Sequence, residues 1–284
     1  MTARETHAMI TTAEAIRPDL DALKARQRKT WASGRFARIG SLLQITGEQL
    51  AESMDVRAGA RFLDVAAGNG NLTMAAARRF ARVESTDFVP SALSDGARRA
   101  KANGLAVRYR VADAEALPYA DDSYDYVGST FGVMFAPDQE QAAAEMLRVC
   151  KPGGVIGLAC WTPEGFIGAL LRLVGRYSPP PAGLESPARW GTEPFLADAF
   201  GPAAASVLTI RRNCVFRFLS AKHFLEVFAE FYGPIRTALA TMSLQDGRAF
   251  ESDLIELLNE WNDATDGTLR VPAEYLEVVI TTRR

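Results

Sequence analysis

The chain has 284 residues, of which 48% are hydrophobic and 23% are charged, and its formal net charge is −2. This composition is typical of a globular protein, and the near-neutral charge gives no support for a nucleic-acid or membrane partner. No apolar run approaches the ~18 residues of a membrane helix, and the three cysteines show neither CxxC nor Cys/His ligand spacing. We therefore expect a cytoplasmic, metal-free protein that is monomeric or homodimeric.

The first elements are predicted to be helical. Residues 14–29 carry a thin apolar stripe, and their basic end, residues 24–29, is interpreted as a solvated helix face. The stretch 31–36, which begins at Trp31, should interrupt this helix before a second helix over residues 37–53. Its aromatic residues are compatible either with core packing or with a lid over a ligand.

Strands and helices alternate through the middle of the chain. Sequence patterns predict strands over residues 62–65, 82–86, 107–111, 124–130 and 155–161, and helices over residues 72–80, 90–102 and 137–149. Alternation of this kind indicates a parallel sheet with helices on both of its faces. The carboxyl ends of such strands meet at one edge, where open α/β sheets bind their ligands.

The turn after the first predicted strand has the features of a nucleotide-binding loop. Gly68 and Gly70 allow the backbone to turn tightly and to approach a ligand closely. The helix that follows directs its free N–H groups at the same place. Asp87 ends the second strand roughly 20 residues further on, where a ribose diol needs an acceptor. Asp113 follows the third strand at the same predicted edge.

The residues around the glycines indicate which nucleotide binds. A dinucleotide fingerprint has a third glycine or alanine where this chain has Thr73, and Asp64 would repel a pyrophosphate. An acidic cradle suits a ligand with a ribose, an adenine and a positive centre. S-adenosylmethionine has these groups and no phosphate, so it is the predicted cofactor. A nicotinamide-dependent oxidoreductase is the less favoured enzyme class.

Four motifs carry a family resemblance over about residues 31–161. They are LDVAAGNG at 63–70, TDF at 86–88, VADAEALP at 111–118 and LRVCKPGG at 147–154. Together they resemble the class I S-adenosylmethionine-dependent methyltransferases, most closely the small-molecule branch that includes the ubiquinone- and menaquinone-type enzymes. Ala66 and Ala67 depart from the Gly-Cys or Gly-Thr pair that is common in the family, but they keep the side chains small.

The resemblance implies a fold and a cofactor site. The fold is α/β, with a Rossmann-like, doubly wound, mostly parallel seven-stranded sheet. Asp87 would accept hydrogen bonds from the ribose hydroxyls, Asp113 would accept from the adenine amino group, and Trp31 would belong to a lid. The predicted cofactor-binding residues are Trp31, Asp64, Ala66, Ala67, Gly68, Gly70, Asp87, Phe88, Asp113, Ala114, Ser129 and Thr130.

Beyond residue 161 the alternation ends. Helices are predicted over residues 166–174, 193–200 and 222–261, the last broken at 233–234 and 246–247, and strands over 206–218 and 275–281. In the family the last two strands form an antiparallel pair at the sheet edge, so residues 219–270 would be an inserted helical cap. The predicted division is an N-terminal helical lid (1–54), a cofactor-binding core (55–218 and 271–284) and this cap.

Methyl transfer from a sulfonium depends on alignment and on the exclusion of water more than on one catalytic residue. His223 is a weak candidate for a general base, because a lone histidine is more often structural. Aromatic residues that could line an acceptor pocket or belong to the core are Phe131, Trp161, Tyr177, Trp190 and Tyr232. The predicted function is methyl transfer to an oxygen, nitrogen or carbon atom of a small molecule. The alternative is a non-catalytic S-adenosylmethionine binder or a partner subunit.

Overall fold

A seven-stranded sheet forms the centre of the protein in the computed structural model, which describes residues 19–181 and 183–284. The strands are β1 (Arg61–Asp64), β2 (Arg82–Asp87), β3 (Val107–Val111), β4 (Tyr124–Thr130), β5 (Cys150–Trp161), β6 (Ala204–Phe218) and β7 (Leu269–Thr282). Their order in the sheet is β3-β2-β1-β4-β5-β7-β6. Neighbours from β3 to β5 are parallel, whereas β7 is antiparallel to both β5 and β6. The predicted α/β fold with a mostly parallel sheet is therefore confirmed.

Helices flank this sheet along the whole described chain. They are α1 (Leu20–Ser33), α2 (Phe36–Gly40), α3 (Gln44–Ser53), α4 (Asn71–Arg78), α5 (Pro90–Ala102), α6 (Gln139–Val149), α7 (Phe166–Tyr177), α8 (Glu193–Phe200), α9 (Ala221–Phe231), α10 (Gly233–Thr241) and α11 (Leu244–Glu260). The central strands bury Phe62, Val127 and Ile156 completely, and each such side chain stabilises the fold by about 1.5–3 kcal/mol. Within the described ranges, no helix is both long and apolar enough to span a membrane.

The N-terminal helix ends later than the sequence pattern predicted. Helix α1 continues through Trp31 and ends at Ser33, so the interruption predicted over residues 31–36 is present but begins at residue 34 and not at Trp31. The aromatic side chain of Trp31 packs against Phe135 and Tyr232 from other elements, which compensates for its weak helix propensity. The first part of the predicted helix, residues 14–18, lies outside the described residues.

Strands β6 and β7 pair from Ala204 opposite Thr282 to Phe218 opposite Leu269. Strand β7 was predicted to begin only at residue 275, but it begins at Leu269. The additional residues are held in the strand because their backbone groups pair with those of β6. Strand β5 likewise begins at Cys150, although the predicted strand began only at residue 155. There the N–H of Gly153 donates to the carbonyl of Arg283 at 3.1 Å.

Helices α9, α10 and α11 lie between β6 and β7, as predicted for the inserted segment. The predicted break at residues 246–247 is wrong, because these residues lie inside α11. This helix begins one turn earlier, where the hydroxyl of Ser243 accepts from the N–H of Asp246 at 3.0 Å. A serine N-cap satisfies an otherwise unpaired N–H and therefore fixes the start of the helix. The exact boundaries of lid, core and cap stay a prediction.

Helices α1 and α10 meet at two glycines that face each other's backbone. A Cβ atom added to Gly34 would lie 2.3 Å from the carbonyl oxygen of Phe231, and one added to Gly233 would lie 2.2 Å from that of Thr30. The N–H of Arg35 donates to the same Phe231 carbonyl at 3.0 Å. The N-terminal helix and the inserted helices are therefore joined through their backbones.

Two glycine-to-alanine substitutions, one at this close approach and one at an open helical position, should change stability in opposite directions. Gly233→Ala should lower the free energy of unfolding by about 1–3 kcal/mol, because the added methyl group must displace a backbone. Gly247→Ala, at the fourth residue of α11 with open space around it, should raise it by about 0.5–1 kcal/mol, since alanine is the better helix former. Urea denaturation of both variants measures the two changes. Equal stability of the variants would show that α1 does not pack on α10 in solution.

Candidate active site

A cavity opens at the carboxyl edge of the sheet, where β1, β2, β3 and β4 end. It contains about 960 Å³ of empty space, part of which is open to solvent. Helices α1 and α2 contribute further wall residues, so the cavity lies between the N-terminal helices and the sheet. The predicted site residues in its wall are Trp31, Ala66, Ala67, Gly68, Asp87, Phe88, Asp113, Ala114, Thr130 and Phe131.

The turn between β1 and α4 forms the floor of the site through left-handed backbone. The φ angles are +52° at Ala66, +57° at Gly68 and +81° at Gly70, and Gly70 is the residue that precedes the first turn of α4. Glycine adopts these angles without a steric penalty. A Cβ atom on Gly68 would come within 3.2 Å of the ring of Phe36. Position 68 therefore needs glycine both for its left-handed backbone angle and for the space beside Phe36.

Asp87 connects this turn to the next helix. Its carboxylate accepts from the N–H of Gly68 through Oδ2 and from the N–H of Val89 through Oδ1, both at 2.8 Å. The side chain is only 7% exposed, and burial raises its pKa to about 6 although the backbone hydrogen bonds act in the opposite direction. Each carboxylate oxygen keeps acceptor capacity for a further partner. Asp87 can therefore accept from two ligand hydroxyl groups in the cavity.

Asp64 supports the turn from behind and does not reach the cavity wall. Its Oδ2 accepts from the N–H of Thr73 at 2.8 Å and from the hydroxyl of Thr73 at 2.5 Å. Its Oδ1 is buried and has no hydrogen-bond partner among the described residues. Complete burial raises the pKa of Asp64 to about 7, and the nearby charge of Asp87 acts in the same direction. A cationic group near the turn would compensate this buried charge.

The adenine side of the predicted site holds an ion pair that the sequence did not indicate. The carboxylate of Asp113 accepts from the N–H of Glu115 at 3.0 Å and pairs with the ammonium of Lys24 at 2.8 Å. The ammonium of Lys24 also contacts the carboxylate of Glu115. The interpretation of residues 24–29 as a purely solvated face is thus wrong for Lys24. Its partners are distant in sequence, so helix periodicity alone could not reveal the contact.

The end of β4 supplies the opposite side of the turn. Ser129 is fully buried and lies behind the wall, where its hydroxyl donates to the carbonyl of Val65 at 2.7 Å and accepts from the N–H of Val133 at 3.1 Å. Thr130 and Phe131 do face the cavity. Phe131 has a φ angle of +58°, an uncommon conformation for a non-glycine residue. Among the predicted cofactor residues, Asp64, Gly70 and Ser129 therefore hold the loops that form the wall.

Most of the predicted acceptor-pocket aromatics lie outside the cavity wall. Trp161 stacks on Phe131 at a centroid distance of 3.8 Å, so it supports the wall from behind. Tyr232 packs on Trp31 at 5.6 Å, Tyr177 donates to Asp253 at 2.9 Å, and Trp190 is fully buried. A role of these four residues in acceptor binding stays a prediction.

The candidate base His223 lies away from the cavity. It lines a separate, shallow pocket beside β6 and β7, and its Nδ1 accepts from the N–H of Leu219 at 3.2 Å. This hydrogen bond gives His223 a structural role at the start of α9. No group of three potential metal-ligating side chains was found in the described ranges.

Several wall residues were not assigned from the sequence. They are Lys24, Gln27, Phe36, Leu43, Asn69, Asn71, Val89, Ala92, Ala112, Gly132, Val133, Phe135, Ala136 and Pro137. Lys24, Gln27 and Trp31 are spaced so that they share one face of α1, which is the signal that could have grouped them. Asn71 is fixed by two bonds, one to the carbonyl of Gly40 at 2.8 Å and one from Arg99 at 2.6 Å.

The raised pKa of Asp64 predicts an unusual pH dependence of stability. Because the folded state holds this proton to about pH 7, whereas the unfolded chain releases it near pH 4, the folded state binds more protons in between. Stability should therefore fall as pH rises through that window. Relative to Asp64→Asn, the wild type should lose about 2–3 kcal/mol between about pH 5 and about pH 8. Urea titrations of the ligand-free proteins at both pH values test this, and parallel curves would contradict it.

Several known proteins resemble this chain in sequence or in fold. A methyltransferase domain model matches residues 63–158. An uncharacterized protein of Mycobacterium tuberculosis is 39% identical over 89% of this chain and 93% of its own length. The demethylmenaquinone methyltransferase of Deinococcus radiodurans is 36% identical over 49% of this chain and 59% of its own length. The YcgJ protein of Bacillus subtilis shares the fold, with a TM-score of 0.57 and 18% identity over 84% of this chain and 99% of its own. The chain belongs to the class I S-adenosylmethionine-dependent methyltransferase family.

Proposed function

We propose that this protein transfers the methyl group of S-adenosylmethionine to a small-molecule acceptor with an apolar body. The observation that carries the proposal is Asp87, a buried carboxylate in the cavity wall whose two oxygens are oriented by the N–H groups of Gly68 and Val89. A carboxylate fixed in this way is pre-organised to accept from the two hydroxyl groups of a ribose.

The other wall residues suit the remaining groups of the cofactor. Phe88 and Ala114 would flank the adenine, and Asp113 would accept from its amino group. The backbone of Ala66, Ala67 and Gly68 would follow the methionine portion. The unpartnered Oδ1 of Asp64, buried behind this turn, would stabilise the positive charge of the ligand electrostatically.

When bound, S-adenosylmethionine supplies a methyl carbon that is already activated by the neighbouring sulfonium. The chain then has to orient the acceptor in line with that carbon and exclude water. The charged side chains that the described residues place in the wall are Lys24, Asp87 and Asp113, and each is already engaged in an ion pair or hydrogen bonds. We therefore assign catalysis to positioning and assign no general base.

The acceptor end of the cavity is apolar. We assign the acceptor to the part of the wall formed by Phe36, Leu43, Phe131 and Phe135, with Thr130 as its polar neighbour. Such a wall stabilises an apolar or aromatic acceptor by burying its surface. Phe131 is held in place by its stacking on Trp161, so the shape of this end is set by the packed interior behind it.

Substitution of Asp87 should weaken the cofactor and change its pH dependence. Asp87→Asn should raise the dissociation constant for S-adenosylmethionine roughly 10- to 100-fold, because hydrogen bonds to a charged acceptor are lost. Wild-type affinity should fall as pH drops below about 6, where Asp87 becomes protonated, and the variant should lack this decline. Calorimetry at several pH values measures both effects.

The matched control for this substitution is Asp125→Asn. Asp125 also accepts from a strand backbone, the N–H of Arg61 at 2.8 Å, but it lies at the start of β4, away from the cavity. Its variant should bind S-adenosylmethionine as the wild type does. An unchanged affinity in Asp87→Asn, or tight binding of NAD to the wild type, would refute the proposed site.

The acceptor can be found with S-adenosylmethionine that carries an isotopically labelled methyl group. The protein is incubated with a fractionated metabolite extract, and products are recognised by mass spectrometry from the gain of one labelled methyl group. Fragmentation of the product identifies the methylated atom. If the protein binds the cofactor but no fraction gains the label, while a known methyltransferase labels its acceptor in the same extract, the protein is a non-catalytic binder.

A further inference from the structure

Helix α1 contacts the loops that follow three of the strands. Lys24 pairs with the loop after β3, and the guanidinium of Arg28 lies 6.0 Å from the ring centroid of Phe88 after β2. Trp31 packs edge-on against Phe135, after β4, with a centroid distance of 5.0 Å. Since Lys24 and Trp31 also line the cavity, this helix lies across the opening through which a cofactor would enter or leave.

The ion pair of Lys24 is more than a surface contact. Lys24 is 23% exposed and the side chain of Glu115 only 3%. The other oxygen of Glu115 accepts from the N–H of Asp138 at 2.8 Å, which ties the same loop to the start of α6. The ammonium thus joins α1 to a loop that is itself fixed at its other side.

The charges of this cluster depend on one another. Burial alone would lower the pKa of Lys24, but its hydrogen bonds to Asp113 and Glu115 outweigh that effect, and the pKa is raised. Burial has the opposite effect on the carboxylate and raises the pKa of Glu115. The hydrogen bond and the attraction to Lys24 lower this pKa, but they offset the effect of burial only in part. Glu115 is therefore the partner that most needs the cation, and removal of Lys24 would leave a buried carboxylate without one.

We propose that Lys24 is a positioning residue that fastens α1 to the adenine-side loop, so that α1 acts as a strap closed over the bound cofactor. The inference rests on the proposed function, because it takes Asp113 as part of the adenine site. Lys24 holds one oxygen of Asp113 while the N–H of Glu115 holds the other. The same contact that closes the strap thereby orients the acceptor for the adenine amino group.

The strap has a kinetic consequence. S-adenosylmethionine can leave only after α1 has moved, and that movement breaks the contacts of Lys24 with Asp113 and Glu115. Lys24 therefore adds to the barrier for dissociation of the cofactor, which is the rate that a displacement experiment measures. Gln27, one turn further along the same face, would move with it.

The test compares Lys24→Met, Lys24→Arg and the control Lys29→Met, an exposed lysine on the same helix. Stopped-flow displacement measures the dissociation rate of S-adenosylmethionine, and thermal denaturation verifies that each variant is folded. Lys24→Met should release the cofactor ~10-fold faster, which corresponds to ~1.4 kcal/mol. Lys24→Arg should remain close to the wild type, and Lys29→Met should match it.

A thermodynamic mutant cycle, in which both carboxylates are changed together, distinguishes the strap from a merely structural role of Lys24. In the background of Asp113→Asn with Glu115→Gln, the substitution Lys24→Met should leave the dissociation rate unchanged, because its partners no longer carry charge. Hydrogen exchange provides a second readout. S-adenosylmethionine should slow the exchange of α1 amides in the wild type, and this protection should be lost in Lys24→Met.

The outcomes separate the two proposals. If the wild type does not bind S-adenosylmethionine, the proposed function fails. If it binds, but Lys24→Met releases the cofactor at the wild-type rate or no faster than Lys29→Met, the strap is refuted. Should Lys24→Met not fold, Glu115→Gln tests the same contact, and a wild-type dissociation rate in that variant refutes the strap as well.

Discussion

The site depends on the hydrogen bonds of one buried carboxylate. Asp87 accepts from Gly68 in the turn after β1 and from Val89 at the start of α5. It thereby fixes the distance between two loops that belong to adjacent parallel strands. A polar group in this position must be hydrogen-bonded, since an unpaired one would cost more than it contributes. The turn, the cavity floor and the entry to α5 therefore have a common anchor.

The burial of this carboxylate destabilises the ligand-free protein. Asp87 and Asp64 are buried near each other, and burial raises the pKa of both carboxylates. A ligand with a positive charge would reduce the repulsion between the two carboxylates. Its hydroxyl groups would replace the water that burial has removed from them. Sites of this kind are commonly less stable when empty than a core of the same size would be, because function requires polar groups in a dry place. The proposed cofactor has the complementary charge.

The sequence predicted what local patterns encode. The alternation of apolar runs, the glycines at 68 and 70, and Asp87 at a strand end indicated the sheet, the turn and the edge where they meet. Other features arise only from tertiary contacts, which explains the errors. Trp31 stays helical because distant aromatic residues pack on it, and Lys24 is paired because its helix lies over Asp113 and Glu115. The Asp-Gly pair at 246–247 indicated a turn, but the Ser243 cap decided where the helix begins.

The backbone contact between the first and the last helical segments has a consequence for the order of folding. Arg35 bonds to Phe231, so α1 gains this partner only after most of the chain has been synthesised. Closing so long a loop costs conformational entropy before any contact compensates for it. Helix α1 would thus leave the ribosome early and gain its backbone contact with α9 only late. Pulsed hydrogen exchange during refolding would show this as late protection of the Arg35 amide relative to the amides of β1 and β4.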